Sequence, residues 1–574
     1  MNREIAIIFD EIADLLEITG GDRFRINSYR RVSRIIDELP ESVADLLEKG
    51  KLQKIPGIGK GTIDRIQEYL SKGKISTHQE LLTSVPAGLL DLLRIPSLGP
   101  KKAHTLHQEL GVKDIDSLQK AIAKGKVEKL DGFGKKSVEK ILEGIEFLER
   151  SAGRTPLGIA RPVAEILAQT VAEFAGVKKV EIAGSVRRGK ETIGDLDLLC
   201  VAADGFKTIK TFTKIRGVTE VVAAGKTKGS VVVANPLGGE IQVDLRVVSK
   251  ESLGAALQYF TGSKEHNVRL RELAINKGWK LNEYGLFKGD EMIAGKDEAG
   301  IYKKLGLKFI PPELREDRGE IECKGNLPDL IGLDDIQGDL HVHCTASDGR
   351  NTVEQLAAAA QKRGYKYIGI TDHSKSSAIA NGLSADELLE SVENIRKVNK
   401  KLKGVAVLAG TEVDILADGS LDYPDKVLAK LDWVIASIHS AQGQGRDRIT
   451  KRSIAALENP YVHALGHPSG RLLGQRDAMD LDWEKVISKA AQTNTALELN
   501  CSWQRLDLND LHVRQAMEAG CWIVICTDAH DIEQLGQIDY GIQTARRGWA
   551  TKSRVLNAMP ITKIKKWLSA KHGG

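Results

Sequence analysis

Apolar residues recur at three- and four-residue spacing through the first 75 positions of the chain, in IAIIFDEIADLLEI, YRRVSRIIDEL and GTIDRIQEYLSKG. That period lines one face of a helix and predicts a helical opening region. Three breaks then repeat one pattern, each before a helical stretch: Ile55-Pro56-Gly57-Ile58-Gly59-Lys60, Ile95-Pro96-Ser97-Leu98-Gly99-Pro100-Lys101-Lys102 and Leu130-Asp131-Gly132-Phe133-Gly134-Lys135-Lys136. From residue 151 the period changes. A helix near 160–175 precedes the β-like runs KKVEIAG, DLDLLCVA, SVVVAN and EIQVDLRVV, the last two joined as a hairpin through Asn235-Pro236-Leu237-Gly238-Gly239. Residues 256–320 return to mostly helical and loop patterns, and 311–335 is polar and proline-bearing, as a linker is. From about 336, short apolar runs alternate with helical stretches, a parallel α/β pattern. Seven runs, DLHVHCTASDG, KYIGITDH, AVLAGTEVD, DWVIASIHS, VHALGHP, TALELNCS and WIVICTDAHD, nearly all finish in a polar, metal-capable residue. A barrel gathers the C-terminal ends of all its strands around one mouth.

Length and composition narrow the class. A chain of 574 residues exceeds one core and suggests about three to five domains. No apolar run approaches the roughly 18 residues that span a membrane, and the acidic, amphipathic start is unlike a signal peptide. The six cysteines are scattered with no CxxC pair, which argues against a disulfide framework or zinc finger and fits a reducing cytoplasm. Residues 331–574 balance 30 basic against 30 acidic side chains, so the net +5 falls on residues 1–330. Nine of 13 histidines lie after residue 330, a skew that asks for a cause.

The repeated breaks are apolar-Gly turns between helices, with Lys60, Lys101 or Lys135 at the start of the second helix. Free backbone N–H groups at Gly57/Gly59, Gly99 and Gly132/Gly134 can cradle one backbone phosphate each without reading sequence. The histidine skew resolves onto the strand ends: His341, His343, Asp348, His373, Glu412, His439, His467, Asp528 and His530. His341/His343 and Asp528/His530 are two apart on strands, so each pair faces one way. Nine such groups exceed what one ion needs and suit two or three, with Glu412 or Asp528 as the bridge. His463, His512 and His572 lack this strand-end placement and read as structural. Upstream, Gly184-Ser185-Val186-Arg187-Arg188-Gly189 precedes Gly194-Asp195-Leu196-Asp197, and Asp244 follows on another strand. Asp195 and Asp197 share a strand face, and three carboxylates on adjacent strands can hold two Mg²⁺ ions (or Mn²⁺) for in-line phosphoryl transfer. The Gly184-Ser185 turn offers donors to a triphosphate and Arg188 adds charge. This spacing marks a nucleotidyltransferase fold.

The order HxH…D, TDH, GTE, IHS, GHP and TDAH resembles the PHP (polymerase and histidinol phosphatase) domain over about residues 336–574. All nine usual ligand places are filled by metal-capable residues, which implies an active domain. The donor set suits Mn²⁺, Zn²⁺ or Fe²⁺ without choosing among them. Residues 1–330, with Tyr259-Phe260-Thr261-Gly262-Ser263 and then Asn267 and Arg271, resemble the family X DNA polymerases. The resemblance implies that Asp195, Asp197 and Asp244 are catalytic metal ligands and that Ser185 and Arg188 bind the triphosphate. It implies too that Tyr259 and Phe260 pack on the sugar, Asn267 touches the incoming base and Arg271 touches the template. Gly184, Gly194 and Gly262 belong to the same nucleotide-binding turns.

The expected architecture is multidomain. A helical DNA-binding domain spans 1–80, a helix-hairpin-helix domain 81–150, an α+β nucleotidyltransferase palm 151–255 and a dNTP-selecting domain 256–318. A linker, 319–335, then leads to a distorted (β/α)7 PHP barrel, 336–574. The expected activity is gap-filling DNA synthesis in base-excision repair with metal-dependent 3′-end trimming, on gapped or nicked duplex DNA with dNTPs, by a cytoplasmic monomer. Two departures matter. Arg65 stands where polymerase beta-like enzymes carry a Schiff-base lysine, and a guanidinium cannot form the imine, so deoxyribose-phosphate lyase activity is not expected. Ser97 replaces a glycine of the second turn. A small-molecule phosphatase tethered by its N-terminal part, or a non-catalytic DNA-end scaffold, would be the rival readings.

Overall fold

The protein is described here by a computed structural model covering residues 2–572, save 38, 40, 41, 87, 94, 96, 97, 152, 236–238, 324 and 325. Ser97, the side chain of His572 and the tip of the 235–239 turn therefore lie outside what is described. Two compact units are present, 1–152 and 153–574.

The first unit is helical. Asn2–Ile18, Arg23–Asp37 and Lys60–Lys72 are helices, and Ile5, Phe9, Ile12 and Leu16 of the first meet Ile26, Val32 and Ile36 of the second in one core. Those positions are three and four apart, which is why the sequence folds into helices that pack by one face. A second core gathers Leu89, Leu98, Leu106, Leu118, Phe133 and Ile141 from the helices that follow.

The second unit starts with helix Leu157–Ala172, whose Leu157, Ala160, Ala164, Leu167 and Val171 cover a five-stranded sheet. The sheet order is Val177–Ile182, Asp195–Ala202, Glu240–Val247, Lys228–Ala234, Val218–Ala224. Asp195–Ala202 runs parallel to Glu240–Val247, while Lys228–Ala234 and Glu240–Val247 are antiparallel. Helices Leu253–Thr261, Lys264–Asn276 and Glu298–Leu305 follow, with a three-stranded sheet between the last two.

The stretch expected as a linker does not behave as one. The Arg315 side chain is fully buried and pairs with Glu298 at 2.6 Å, and Glu320, equally inaccessible, meets His266 Nδ1 at 2.7 Å. Ile321 and Ile331 are buried as well. Charged residues that pair internally have the same composition as charged residues that face water, so polarity misled the reading of 311–335 as a linker.

Seven parallel strands complete the chain, in sequential order from Gly338–Val342 to Ile523–Cys526. Val342 bridges Ala529 in parallel, and His343 N–H donates to Ala529 O at 2.9 Å, so the last strand returns to the first and the barrel nearly closes. The barrel packs on the five-stranded part: Arg471 forms a bidentate pair with Glu191, and a Cβ on Gly158 would lie 2.2 Å from the Trp503 ring. Among the described residues no helix is long and apolar enough to cross a membrane.

Candidate metal centres and phosphate-binding turns

The seven barrel strands deliver their C-terminal residues to one cluster. Glu412 is fully buried at its centre, with its carboxylate oxygens 2.8–3.8 Å from imidazole nitrogens of five histidines: His373 (2.8 Å), His467 (2.9 Å), His439 (3.3 Å), His341 (3.6 Å) and His343 (3.8 Å). Asp528 lies 3.1 Å from His343 and 3.5 Å from His341. Asp348 approaches His530 (3.4 Å), His373 (3.8 Å) and His343 (3.9 Å). All nine expected residues are thereby brought together. Their donor atoms fall into three overlapping groups, His343/Asp348/His373/His530, His341/His343/Asp528 and His373/Glu412/His439.

The cluster fits divalent metal and little else. His341 Nε2, His343 Nδ1 and Glu412 Oε2 are buried without a hydrogen-bond partner, which an apolar core would not tolerate. Imidazole rings crowd one another, His343 lying 4.3 Å from His373 and 4.2 Å from His530, centroid to centroid. Burial, with His530 and His373 nearby, pushes His343 down to about 3, leaving a neutral ring with a lone pair to give. Burial would lower His439 too, but the Glu412 charge and the bond to Asp414 carry it up to about 10. Protons here do what cations do better, and metal binding at such a site releases them.

Five residues that the sequence reading missed orient this ring. Glu498 accepts from His341 Nδ1 at 2.6 Å and from the His467 N–H at 2.6 Å. Asp414 accepts from His439 Nδ1 at 2.5 Å. Each bond to an Nδ1 fixes the tautomer and leaves Nε2 as ligand atom. Asn500 Nδ2 donates to Asp528 at 3.0 Å, Asp372 holds the Cys344 N–H at 2.9 Å, and Asp339 holds Thr527 Oγ1 at 2.6 Å. A signal was present: Glu412/Asp414 and Glu498/Asn500 repeat the two-residue spacing of His341/His343. His467 (φ +24°) and Asp528 (φ +55°) are held in the left-handed region, strain of the kind found at ligand positions. By contrast, His463 accepts the Val434 N–H and stacks on Trp433, and His512 stacks on Trp483 at 3.8 Å.

A second centre lies on the five-stranded sheet. Register pairs Asp197 with Asp244 across neighbouring strands, and Asp195 stands two residues before Asp197 on the same face. Burial and then the charges of Asp195 and Asp244 raise Asp197 to about 7. Burial opposes the Asp244 charge too, but Lys228 (2.8 Å), Ser230 and Gln242 (3.2 Å) bind its carboxylate and hold it below the ordinary range. Gly184 has φ +64°, and a Cβ there would sit 2.3 Å from Asp197 Oδ2. The glycine is thus required by the carboxylate reaching into the turn. Gly194, just before Asp195, has only Arg154 within reach of a Cβ, at 3.8 Å.

Beside this turn a cavity of about 630 Å³ is lined by Arg188, Lys190, Tyr259, Phe260, Gly262, Asn267, Arg271 and Glu316, among others. Six of these were expected to meet a nucleotide or template; Lys190 and Glu316 were not. Tyr259 and Phe260 stand edge to face, and the Arg246 guanidinium covers the Phe260 ring at 4.3 Å. Asn267 is engaged internally, donating to Tyr259 O and accepting from Gln258 Nε2, both at 2.6 Å.

In the helical unit the three glycine turns share one closing hydrogen bond. The N–H groups of Ile58, Leu98 and Phe133 close onto the carbonyls of Ile55, Ile95 and Leu130 at 3.0–3.1 Å, and the side chains of Ile58, Leu98 and Phe133 are buried. Gly59, Gly99 and Gly134 are exposed with open space where a Cβ would be, and Lys60, Lys101 and Lys135 are exposed beside them. Gly57 (φ +95°) and Gly132 (φ +80°) are left-handed. Arg65 donates to Gly61 O at 2.6 Å and lies over the Tyr29 ring.

Four stretches of the chain match known families by description. Residues 1–75 match a helix-hairpin-helix domain, 89–146 a SAM-like helix-hairpin-helix tandem, 256–316 the DNA polymerase beta thumb and 339–501 the PHP domain. A Bacillus subtilis (strain 168) protein, "DNA polymerase/3'-5' exonuclease PolX", is 39% identical over 568 residues, 99% of both chains. A probable phosphatase of Thermoanaerobacter sp. (strain X514) is 32% identical over 41% of this chain and 94% of its own. DNA polymerase lambda of Arabidopsis thaliana is 25% identical over 55% of this chain and 62% of its own.

Proposed function

Because this chain belongs to the family X DNA polymerases that carry a C-terminal PHP domain, we propose that its two acidic centres divide the building and the trimming of DNA 3′ ends between them. It is a DNA polymerase joined to a PHP hydrolase, and the matched phosphatase covers two-fifths of the chain while the polymerase/exonuclease relative covers nearly all of it. The observation that carries the reading is the presence in one chain of the paired Asp197/Asp244 face and the histidine-ringed Glu412, two separate sets of metal-fitting donors.

At the sheet, Asp195, Asp197 and Asp244 hold Mg²⁺ or Mn²⁺. At the barrel mouth, His341, His343, Asp348, His373, Glu412, His439, His467, Asp528 and His530 hold two or three ions of Mn²⁺, Zn²⁺ or Fe²⁺. Bound divalent ions at such sites supply Lewis acidity and an activated water or hydroxyl. The chain's own groups do the rest. The Gly184-Ser185 turn and Arg188 receive the dNTP triphosphate, Gly194 lets the strand start close to it, and Tyr259 and Phe260 wall the sugar. Asn267 exchanges its internal bonds for the base edge, and Arg271 meets the template. Phosphates of gapped or nicked duplex DNA rest on the turns at Gly57/Gly59/Lys60, Gly99/Lys101 and Gly132/Gly134/Lys135, whose exposed N–H groups suit them. Glu498 and Asp414 keep the ligating imidazoles in one tautomer. We place the protein in base-excision repair as a monomer, and in the cytoplasm in keeping with six unpaired cysteines.

A one-nucleotide-gapped duplex, assayed for extension and for primer degradation in Mg²⁺ and in Mn²⁺, tests the division. Asp195→Ala with Asp197→Ala is expected to abolish extension and spare degradation, and His341→Ala to do the reverse. Degradation that survives His341→Ala overturns the assignment of trimming to the barrel.

A further inference from the structure

The cavity beside the Gly184 turn is meant, on the reading above, for a polyphosphate, yet a carboxylate lines it. Glu316 is largely buried and takes Arg188 Nε at 2.9 Å. Arg188 also donates to Thr261 O at 2.5 Å, so the cation expected to meet the triphosphate is held by two acceptors. A buried carboxylate next to an incoming polyanion is unfavourable unless a second cation neutralises it. That cation comes from the barrel part. Arg547, on helix Ile538–Arg547, is 3% exposed and donates from Nη1 to the same Glu316 Oε1 at 2.9 Å and to the Arg188 carbonyl at 3.0 Å. Its Nη2 binds Asp510 at 2.7 Å, and Asp510 is bound in turn by Arg318 at 2.9 Å. The same helix carries Gln543, which donates to Arg187 O and would be struck by any Cβ on Gly189, at 2.2 Å. The turn that receives phosphate therefore rests directly on a helix of the PHP half.

We propose that Arg547 is a positioning residue of the polymerase site: by sharing the Glu316 carboxylate it frees Arg188 for the triphosphate and cancels the charge that would repel it. The inference rests on the nucleotide-pocket reading. Without Arg547, Glu316 keeps Arg188 at 2.9 Å and only the more distant Lys190 at 3.8 Å, so it holds Arg188 harder and faces the ligand less compensated. Without Glu316, Arg188 is held by the Thr261 carbonyl alone, whether or not Arg547 is present. The two substitutions therefore act in opposite directions and the second cancels the first.

The test is dCTP binding by the full-length protein on a one-nucleotide gap with template dG, a dideoxy-terminated primer and Mg²⁺, so that no turnover is needed. Arg547→Gln is expected to weaken dCTP roughly ten- to a hundredfold, the scale of one lost charged hydrogen bond. Arg547→Lys should recover part of it, and Glu316→Gln added to Arg547→Gln should restore binding to within about twofold. Glu316→Gln alone should tighten binding, which keeps the idea testable if Arg547→Gln folds poorly. Unchanged affinity in Arg547→Gln, or no restoration by Glu316→Gln, overturns the proposal. Arg188→Ala separates the premises: if it weakens dCTP while the other variants do not, the pocket stands and the Arg547 role falls. If Arg188→Ala has no effect, both fall.

Discussion

Replacing Glu498 by glutamine exchanges one oxygen for an NH₂ and removes one acceptor from a fully buried site. Both oxygens of Glu498 are in use, one on His341 Nδ1 and one on the His467 N–H, each at 2.6 Å. A carboxamide can serve only one of them. If it keeps the backbone N–H, its own NH₂ meets the His341 Nδ1–H donor to donor. The ring then moves its proton to Nε2, which ceases to be a ligand atom. If it keeps His341, the His467 N–H is left unpaired at about 1–3 kcal/mol. The loss of an orienting partner of this kind costs roughly 10- to 100-fold in metal affinity, about 1.4–2.8 kcal/mol. The assay is 3′-end degradation by Glu498→Gln across a Mn²⁺ titration, with gap extension by the same preparation as control. A half-saturating Mn²⁺ concentration raised at least about tenfold, with extension intact, is expected. An unchanged Mn²⁺ dependence refutes the idea that Glu498 sets the His341 tautomer.

Three further outcomes are expected. Gly184→Ala places a methyl 2.3 Å from Asp197 Oδ2 at φ +64°, so extension should fall by about 100-fold or more while degradation persists; near-normal extension would show that Asp197 need not reach into this turn. Burial, with Arg471 adding to it, holds His512 down at about 4 against an ordinary value near 6.5, so the unfolded chain binds a proton there that the folded chain refuses. Stability should therefore drop as pH falls from about 6.5 to 4, by about 1–2 kcal/mol after discounting for partial exposure, and denaturant melts of His512→Phe should show a flatter acid limb. Arg65, a guanidinium that stays protonated, should give no borohydride-trapped adduct on incised abasic DNA, and an adduct lost in Arg65→Ala would contradict this.

Much of the barrel was readable because its metal-capable residues stand at polar ends of apolar strands. A period of two is imposed by the backbone, so HxH and DxH declare a shared face without any knowledge of the fold. The turn-glycine-lysine repeats were readable for the same local reason. The missed residues show the limit. Glu498 and Asp414 have the same spacing as the metal-capable residues, but nothing local says that one accepts from His341 and the other from His439. The 311–335 stretch shows it again: Arg315 and Glu320 look like solvated charges until Glu298 and His266 are seen beside them.

Period, turn chemistry and residue type are properties of neighbours along the chain, and they sufficed for element types, the seven-strand count and the list of metal-capable residues. Which carboxylate takes the centre was left open between Glu412 and Asp528, and packing decided it: five imidazoles converge on Glu412 and two on Asp528. The pairing of Asp197 with Asp244, the sharing of Glu316 by Arg188 and Arg547, and the bond from His341 to a residue 157 positions later likewise belong to the folded molecule. Such contacts are chosen by strand register and by which helix face is buried against which, and those choices are settled by the whole core at once.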